Sequence, residues 1–459
     1  MGKLFGTDGV RGVVNKELTP EKALKIGMAL GAYLNPGSRV LMGRDVRAGG
    51  DMLFHAVAAG LQSQGVKVYY AGYIPTPGLQ YILKTHSEYD AGVMITASHN
   101  PPQYNGIKVI SSNGVEVSRE TERELEEIYF TQRFRAPDWS KLTWDVKMHD
   151  GAIEEYVEGI ASKVDNSIIE ERGFKVVVDP ANSVGGLVTP LLLRKLGVRV
   201  YTINGHLDPL FPGREPEPTV DSLKDLSRIV RELDADLGVG HDGDADRAIL
   251  VDEKGSVWWG DRSGSLIAGY VAEKHPDLPR RVYTGVSSSI LVEEYLGSKG
   301  IEVKWTPVGS VIISHMILES GGALAGFEEN GGYMHPPHQI VRDGAMKTAL
   351  FLEYMAETRM KPSELFDMLP KYYPIKTKIP MERSKAILVV EKLKEKYMGK
   401  YKIVDIDGLK VFGEDYWFLV RPSGTEPVLR IMLEAKTPKK ARDLLAKIKE
   451  EITRILGEA

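Results

Sequence analysis

Short apolar runs alternate with polar loops and helical stretches along this chain, and one such unit recurs three times. The units span residues 39–69, 175–201 and 281–304. Each contains an apolar run, a loop of small residues, an amphipathic stretch closed by glycine, and a second apolar run. The apolar runs predict buried strands, and the glycine predicts the end of a helix. This is the pattern of a βαβ unit, so we expect three similar α/β domains with mixed, largely parallel sheets.

Each unit continues to a second polar loop that lies between apolar residues. These loops comprise residues 96–108, 241–247 and 327–333. The first contains a serine, the second three aspartates, and the third two glutamates, an asparagine and glycines. Three similar domains that each offer a differently equipped loop predict one shared site in a central cleft.

The tail of the chain has a different pattern. From about Tyr373, short apolar runs such as 416–420 and 429–433 alternate with stretches rich in Lys and Glu, and residues 438–456 form an amphipathic helical pattern. We therefore expect a small α+β domain at the C-terminus. The predicted domains comprise residues 1–150, 151–252, 253–368 and 369–459.

Composition narrows the class of protein. The 459 residues are 42% apolar and 27% charged, with a net charge of -4, which is typical of a soluble protein and gives no electrostatic reason to expect nucleic acid or an anionic membrane. Without an apolar signal core or a membrane-length apolar run, we expect a cytoplasmic protein. There are no cysteines, which excludes disulfides and thiolate chemistry. Only six glutamines occur, which indicates either a thermophilic source or chance composition.

Ser98 is the first candidate for chemistry. It follows the apolar run 91–95, and the prolines after Asn100 predict a turn, so the serine lies on a loop at a strand end. His99 and Lys108 are nearby proton carriers. A hydrolase nucleophile is disfavoured because G-x-S-x-G is absent and an adjacent His99 has poor triad geometry. The alternative is a serine that carries phosphate, which needs a nearby cation.

Asp242, Asp244 and Asp246 alternate with small residues and can direct three carboxylates at one cation. A set of oxygen ligands favours Mg²⁺, Mn²⁺ or Ca²⁺ over zinc. A calcium loop needs glycine where Arg247 stands, and the G-x-G-x-x-G match at 238–243 is followed by a strand pattern where a dinucleotide site has a helix. A solvated acidic turn remains the simplest alternative to a metal site.

Two further loops suit a phosphorylated sugar. Residues 421–427 combine arginine, two hydroxyls and glycine, which together offer many donors to a phosphate dianion. Residues 326–333 combine carboxylates with an amide, as sugar hydroxyls require. Ordinary Pro/Gly-rich turns are the alternative interpretation of both loops.

Taken together, these motifs resemble those of the α-D-phosphohexomutase superfamily over the whole chain. The resemblance rests on four segments in the order found in that superfamily, namely Phe5–Gly12, Thr96–Pro101, Asp242–Arg247 and Arg421–Pro427. It implies an isomerase in which a phosphorylated Ser98 gives its phosphoryl group to a hexose phosphate. A hexose 1,6-bisphosphate then reorients and returns its other phosphate to the serine, with one Mg²⁺ per chain offsetting the charge.

The resemblance also implies roles for individual residues. Proton transfer and charge stabilisation are expected of His99, Lys108, Arg11 and Arg247. The metal ligands are expected to be the phosphorylated Ser98, Asp242, Asp244 and Asp246. Contacts with the sugar and its non-reacting phosphate are expected of Glu328, Asn330, Arg421, Ser423, Gly424, Thr425 and Arg430.

Substrate choice is the least determined expectation. Many members of the superfamily carry Gly-Glu-x-Ser-Gly-His in the sugar loop, whereas this chain has Asn330 in place of Ser and Gly332 in place of His. Archaeal-type phosphomannomutase/phosphoglucomutases resemble this chain in that loop, which favours mannose or glucose phosphates. The alternative substrate is glucosamine phosphate, as in a phosphoglucosamine mutase.

Two alternatives differ in the class of protein, namely a non-catalytic sugar-phosphate sensor and a phosphatase. The oligomeric state is open, and a homo-oligomer is among the alternatives.

Overall fold

The same arrangement of four strands recurs in three of the four sheets of the computed structural model, which describes residues 4–6, 8–423 and 427–457. In each of these sheets a βαβ unit supplies two parallel strands, a third strand pairs in parallel with the first of them, and a fourth returns antiparallel. The predicted three α/β domains with mixed, largely parallel sheets are therefore confirmed.

In the described part of the first domain there are six strands and four α-helices. Its elements are β1 (Val10–Val13), α1 (Pro20–Tyr33), β2 (Arg39–Arg44), α2 (Gly50–Ser63), β3 (Lys67–Tyr73), α3 (Thr76–Thr85), β4 (Ala91–Ile95), β5 (Tyr104–Ser111), α4 (Arg119–Thr131), a 3-10 turn (Trp139–Lys141) and β6 (Val146–Met148). The strand order is β1-β5-β4-β2-β3-β6. Alternate residues of β2 pack into different apolar clusters, Val40 and Met42 with α1 and α2, and Leu41 with α3, as the two-residue period of a strand requires.

The serine loop is shorter than the sequence pattern predicts. Lys108 was expected in the polar loop 96–108, but it lies within β5, where its backbone pairs with Met94 of β4. The reason is that Ile107 and Val109 on either side of the lysine are buried apolar residues, so the backbone continues the antiparallel ladder. The loop itself comprises residues 96–103.

The second domain repeats this arrangement. Its elements are α5 (Ala152–Ala161), α6 (Asn166–Arg172), β7 (Lys175–Asp179), α7 (Gly185–Lys195), β8 (Arg199–Thr202), α8 (Lys224–Glu232), β9 (Leu237–His241), β10 (Ala248–Asp252) and β11 (Val257–Trp258), with strand order β11-β10-β9-β7-β8. The predicted end at residue 252 is too early for this sheet. A turn at Gly255, with φ of +83°, reverses the chain so that β11 pairs with β10.

The third domain shares an apolar core with the second. Its elements are α9 (Gly260–Lys274), β12 (Arg281–Gly285), α10 (Leu291–Ser298), β13 (Glu302–Thr306), α11 (Ser310–Glu319), β14 (Ala325–Phe327), β15 (Tyr333–Met334), α12 (Gly344–Thr358) and α13 (Pro362–Asp367), with strand order β13-β12-β14-β15. One cluster of buried side chains contains Val178 and Val239 of the second sheet together with Val282 and Phe327 of the third.

The fourth domain is α+β, as predicted. Its elements are β16 (Tyr373–Pro380), α14 (Arg383–Tyr397), β17 (Lys402–Val404), β18 (Leu409–Phe412), β19 (Tyr416–Pro422), β20 (Val428–Ala435) and α15 (Pro438–Gly457). All strand pairs of its sheet are antiparallel, in the order β16-β20-β19-β18-β17. None of the helices among the described residues is long and apolar enough to cross a membrane.

A buried polar contact joins the fourth domain to the third. Glu434 of β20 accepts a hydrogen bond from Trp417 Nε1 at 2.8 Å and pairs with Arg262 of α9 at 3.0 Å. Lys410 lies over the rings of Trp305 and Trp417, at 3.7 and 4.2 Å from their centroids. Since breaking a buried ion pair is costly, these contacts hold the fourth domain against the third.

Candidate active site

Ser98 lies on the loop between β4 and β5 with its hydroxyl directed at the second domain. Its side chain is fully buried, and Oγ donates to Asp242 Oδ2 at 2.8 Å. Its backbone has φ of +51°, in the left-handed region that costs energy for a residue other than glycine. The Ser98 N–H donates to Thr96 Oγ1 at 2.9 Å. The strained turn therefore places the serine hydroxyl against the aspartate loop.

Arg47, which the sequence analysis missed, holds the serine loop in this shape. Its guanidinium is buried and donates to the main-chain carbonyls of Ser98, Asn100, Pro101 and Tyr104. Asp45 Oδ2 pairs with Arg47 Nε at 3.1 Å and accepts from Thr96 Oγ1 at 2.6 Å. A sequence signal for this role existed in Asp45 and Arg47, the two charged residues that follow β2 where the first βαβ loop begins.

The three aspartates converge as the sequence predicted. Asp242, Asp244 and Asp246 are buried, and one carboxylate oxygen of each lies within 4.8 Å of the others. Asp244 Oδ1 and Asp246 Oδ1 are buried and have no hydrogen-bond partner among the described residues. Burial and the two neighbouring carboxylates raise the pKa of Asp242 well above its usual range. Since buried carboxylate oxygens without a hydrogen bond are costly, this donor set fits a cation with a preference for oxygen ligands.

Lys108 extends from β5 into the same cluster. Its Nζ lies 3.1 Å from Asp8 Oδ2, 3.3 Å from Asp244 Oδ2 and 3.6 Å from Asp246 Oδ2. Burial opposes the charge of Lys108, but these carboxylates outweigh burial and raise its pKa above the usual value. The same ammonium offsets the burial of Asp244 and lowers the pKa of that carboxyl to about 2. Lys108 is therefore a fully protonated cation with a proton to donate.

His99 is neutral and its tautomer follows from its partner. Arg247 Nη2 donates to His99 Nδ1 at 2.9 Å, and a guanidinium has only donors, so the proton of the neutral ring is on Nε2. The charge of Arg247, followed by burial, lowers the pKa of His99 well below its usual value. Ser98 Oγ lies 3.3 Å from the same Nδ1 atom. Arg247 Nε lies 3.7 Å from Asp242 Oδ2.

Arg11 lies on the other side of the serine loop. Its Nη1 donates to Asn100 Oδ1 at 2.5 Å and to the Ala97 carbonyl at 3.2 Å, and its Nη2 pairs with Asp8 Oδ2 at 2.9 Å. The structure thus brings together all five residues expected to take part in catalysis, from β1, β5, the serine loop and the aspartate loop.

The sugar loop connects β14 with β15 and contains Glu328 and Asn330. Glu328 Oε1 accepts from the Gly309 N–H at 3.2 Å, and burial raises the pKa of this carboxyl. Asn330 Oδ1 accepts from the Gly332 N–H at 3.1 Å and so closes the turn of the loop. Thus the Asn330 oxygen shapes the loop, while Glu328 Oε2 is buried without a hydrogen bond within the described part of the chain.

Arg342 is a second residue that the sequence analysis missed. Its Nη2 pairs with Asp246 Oδ2 at 2.5 Å and with Asp8 Oδ2 at 3.4 Å, and its Nη1 lies 3.5 Å from Glu328 Oε2. One buried guanidinium therefore joins the aspartate loop to the sugar loop. No sequence motif marks Arg342, because it lies between β15 and α12, 96 residues from Asp246 and 334 residues from Asp8.

The phosphate loop of the fourth domain is described only in part. Arg421 and Arg430 face each other across β19 and β20, and Ser423 directly follows the first of these strands, whereas Gly424 and Thr425 lie outside the described residues. Arg421 Nε pairs with Asp407 Oδ1 at 2.7 Å, and Asp407 Oδ2 accepts from the Val308 N–H at 3.0 Å. Because Val308 precedes Gly309, the partner of Glu328, the phosphate loop is linked to the sugar loop.

Comparison with known proteins adds independent findings. The four domain models of the phosphoglucomutase/phosphomannomutase family match the chain in order: α/β/α domain I over residues 2–136, domain II over 154–255, domain III over 259–373 and the C-terminal domain over 377–451. A phosphoglucosamine/phosphogalactosamine mutase of Sulfurisphaera tokodaii is 55% identical over 98% of this chain and 99% of its own length.

Two further proteins are similar over almost the whole chain. A phosphoglucomutase/phosphomannomutase of Thermococcus kodakarensis is 43% identical over 97% of each chain. The crystal structure of a phosphoglucomutase/phosphomannomutase family protein of Burkholderia thailandensis has a TM-score of 0.86 and 28% identity, and the match covers 99% of this chain and 96% of that one.

Proposed function

Because this chain belongs to the phosphoglucomutase/phosphomannomutase family, and so is a phosphohexomutase, we propose that Ser98 carries the phosphoryl group between O1 and O6 of a hexose phosphate. The hydrogen bond from the buried Ser98 hydroxyl to Asp242, at 2.8 Å, is the observation that supports this role most directly. It places the hydroxyl beside three carboxylates that suit a cation, and a phosphoserine needs a cation beside it. The enzyme is an isomerase of the intramolecular phosphotransferase class.

The cation is proposed to be Mg²⁺, one per chain, held by Asp242, Asp244, Asp246 and an oxygen on Ser98. When bound, Mg²⁺ offsets the negative charge that accumulates during phosphoryl transfer. The buried oxygens of Asp244 and Asp246 that have no hydrogen-bond partner among the described residues support this assignment. Lys108, Arg247 and Arg342 balance the remaining carboxylate charge around them.

Each phosphoryl transfer needs a proton acceptor, a proton donor and groups that stabilise the phosphoryl oxygens, and residues of this chain are proposed to supply them. The bond between phosphorus and Ser98 Oγ breaks, a bond to the sugar hydroxyl oxygen forms, and the proton of that hydroxyl must leave. His99, whose Nδ1 lies 3.3 Å from Ser98 Oγ, is proposed to accept that proton once Arg247, which donates to the same Nδ1 lone pair, turns to the phosphoryl oxygens. The protonated Lys108 is proposed to give a proton to the serine oxygen. Arg11 and Arg247 stabilise the phosphoryl oxygens, and the second transfer reverses these steps from the other end of the bisphosphate.

The non-reacting phosphate is proposed to bind the fourth domain. Arg421, Ser423 and Arg430, with Gly424 and Thr425 of the segment outside the described residues, supply cationic and hydroxyl donors that suit a dianion. A hexose 1,6-bisphosphate must present each of its phosphates to this loop in turn. A phosphate anchor that lies apart from the serine and aspartate loops can serve both orientations, because it contacts only the phosphate that is not reacting.

For the sugar we propose mannose and glucose phosphates, with Glu328 as a partner of the hydroxyls. Glucosamine phosphate is the second candidate, and one observation favours it. Glu328 Oε2 is buried without a hydrogen bond among the described residues and has only the longer ion pair with Arg342, at 3.5 Å, so it can still accept a hydrogen bond from the ammonium group of an amino sugar. A comparison of kcat/KM for the three sugar phosphates under one condition, in wild type and Glu328→Gln, tests the choice. Glutamine should lower the value most for the amino sugar if Glu328 binds the ammonium.

Intact-protein mass spectrometry tests the role of Ser98. The purified enzyme, primed with a hexose 1,6-bisphosphate, should carry one phosphoryl group, and Ser98→Ala should carry none and should not turn over. Full mutase activity in Ser98→Ala would overturn the proposal. The alternatives differ in their products, since a phosphatase releases free phosphate steadily and a sensor binds sugar phosphate without isomerising it.

A further inference from the structure

We propose that His86, His149 and Glu155 form a second metal site, separate from the active site and suited to Zn²⁺ or a similar transition-metal ion. His86 follows α3, His149 follows β6, and Glu155 lies in the first turn of α5. The three side chains each offer one ligand atom, and these atoms lie within 4.8 Å of one another. The site lies where the first sheet meets the first helix of the second domain.

The two imidazole rings converge on a single carboxylate. His86 Nε2 lies 2.7 Å from Glu155 Oε2, and His149 Nε2 lies 3.4 Å from Glu155 Oε1. The rings are nearly perpendicular, with an interplanar angle of 87° and 5.0 Å between their centroids. Two imidazole nitrogens and one carboxylate therefore lie close enough together to bind one ion, as the three protein ligands of many zinc sites do.

The other nitrogen of each ring is held by a second partner. His86 Nδ1 lies 3.3 Å from Glu88 Oε1, and His149 Nδ1 lies 2.7 Å from the Tyr89 hydroxyl. Histidines that bind metal ions nearly always donate their remaining N–H to a carboxylate or another oxygen, which fixes the tautomer and the ring orientation. With an ion bound, protons on the two Nδ1 atoms would leave both Nε2 lone pairs for the metal.

An unsatisfied atom points to a missing ligand. His149 Nε2 is buried and has no hydrogen-bond partner within the described ranges, and the side chain of His149 is only 10% exposed. A buried polar atom without a partner is unfavourable. A metal ion between the three ligands would satisfy it.

The ligand set distinguishes this site from the active site. Two imidazoles and a carboxylate match the preference of zinc and related ions, whereas the three active-site aspartates prefer magnesium. A bound ion would connect the C-terminal end of α3 and the end of β6 to α5. Because an unfolded chain cannot present this arrangement, binding should stabilise the folded protein.

The experiment measures zinc binding to the full-length enzyme by equilibrium dialysis with excess Mg²⁺ present to occupy the active site. Wild type should bind one Zn²⁺ per chain, and its Tm should rise. His149→Ala and, independently, Glu155→Gln should weaken binding at least about tenfold and remove the rise in Tm. Both variants should keep wild-type mutase activity, which shows that they fold. His55→Ala, which removes an exposed histidine on α2, is the matched control and should bind zinc as wild type does.

Two results would overturn the site. Zinc binding that survives both His149→Ala and Glu155→Gln but disappears in Asp244→Asn would place the ion at the active site. A wild type that binds no zinc beside excess Mg²⁺ would show that His86 and Glu155 form an ion pair only. Loss of binding in both histidine-site variants, with retention in Asp244→Asn, supports the proposal.

Discussion

The side chain of Arg342 occupies the space next to the α-carbon of Gly332, so that a Cβ on this glycine would lie 2.3 Å from Arg342 Cδ and 2.8 Å from Cγ. Gly332 stands where many sugar loops of the superfamily carry histidine. The absence of a side chain at 332 lets the guanidinium of Arg342 pass between the sugar loop and the aspartate loop. The departure in the loop motif and the buried arginine are therefore two parts of one arrangement.

We expect Gly332→Ala to displace Arg342 and to lower kcat/KM. Both carbons that the new methyl group would meet belong to the stem of a buried side chain, so overpacking should cost about 1–3 kcal/mol, and a loss of about tenfold in kcat/KM corresponds to about 1.4 kcal/mol. Gly297→Ala is the control, because a Cβ there would meet no atom of the described residues within 4 Å. Equal activity in the two variants would contradict this account of Gly332.

Arg342→Lys should lower kcat/KM although it keeps the charge. The guanidinium reaches Asp246 and Glu328 at once, whereas an ammonium is a point charge that can pair with only one of them. We expect a loss of about 10- to 100-fold by analogy with other groups that orient metal ligands. Steady-state kinetics should be measured beside Arg359→Lys, which alters an arginine that is 72% exposed. Unchanged kinetics in Arg342→Lys would show that bridging is not required.

Mg²⁺ should raise the Tm of the enzyme and be necessary for turnover. An ion that relieves repulsion among three buried carboxylates binds the folded state selectively, and a concentration of 100 times Kd should stabilise it by about 2.7 kcal/mol. Chelation should lower Tm and abolish activity, and added Mg²⁺ should restore both. In Asp246→Asn the shift in Tm should be smaller. A full shift in that variant would argue against Asp246 as a ligand.

Arg47→Lys should destabilise the protein and slow phosphorylation of Ser98. Lysine can keep the pair with Asp45 but cannot donate to four loop carbonyls, and each lost hydrogen bond to a charged donor costs about 1.5–3 kcal/mol. We expect Tm to fall by several degrees and phosphorylation by a bisphosphate, followed by mass spectrometry, to slow. Arg172→Lys changes an exposed arginine and should alter neither. If Arg47→Lys behaves as wild type does, Arg47 does not support the serine loop in the way proposed.

His241 should make the protein less stable in mild acid. Its ring is buried and neutral, with Nδ1 donating to the Arg247 carbonyl at 2.8 Å and Nε2 accepting from Thr189 Oγ1 at 2.8 Å. Burial lowers the pKa from 6.5 to about 4. His241 of the unfolded chain therefore becomes protonated as the pH falls below 6.5, whereas the native ring becomes protonated only near pH 4. The contribution of His241 to stability is thus full above pH 6.5 and is lost as the pH falls towards 4.

The predicted loss between about pH 7.5 and about pH 5 is about 2 kcal/mol from this one group. Tm measured at both values should fall less in His241→Asn than in wild type, because asparagine does not titrate. The exposed His55 serves as the control, and His55→Asn should show the wild-type fall in Tm. An equal fall in His241→Asn would mean that other groups account for the acid sensitivity.

Most of the architecture could be predicted from the sequence, because strands, helices and their order follow from local patterns of apolar and polar residues. The three βαβ units, the position of Ser98 after β4 and the convergence of Asp242 with its neighbours follow from apolar periodicity and from residues that are close in the chain. The prediction of a loop at Lys108 was wrong because it relied on local composition. Lys108 looks like a loop residue because it is charged, yet its apolar neighbours keep it within β5.

The sequence by itself determined which side chains each loop carries, and the resemblance of those loops identified the chemistry to be expected. Only the tertiary structure decided which of these side chains form ion pairs with one another. Arg342 and Lys108 lie far apart in the chain, yet both pair with Asp246 and with Asp8. Arg47 lies 51 residues before the Ser98 carbonyl that it holds. Such pairings depend on how distant segments pack within and between domains, because burial strengthens an electrostatic contact only after the fold has excluded water from it.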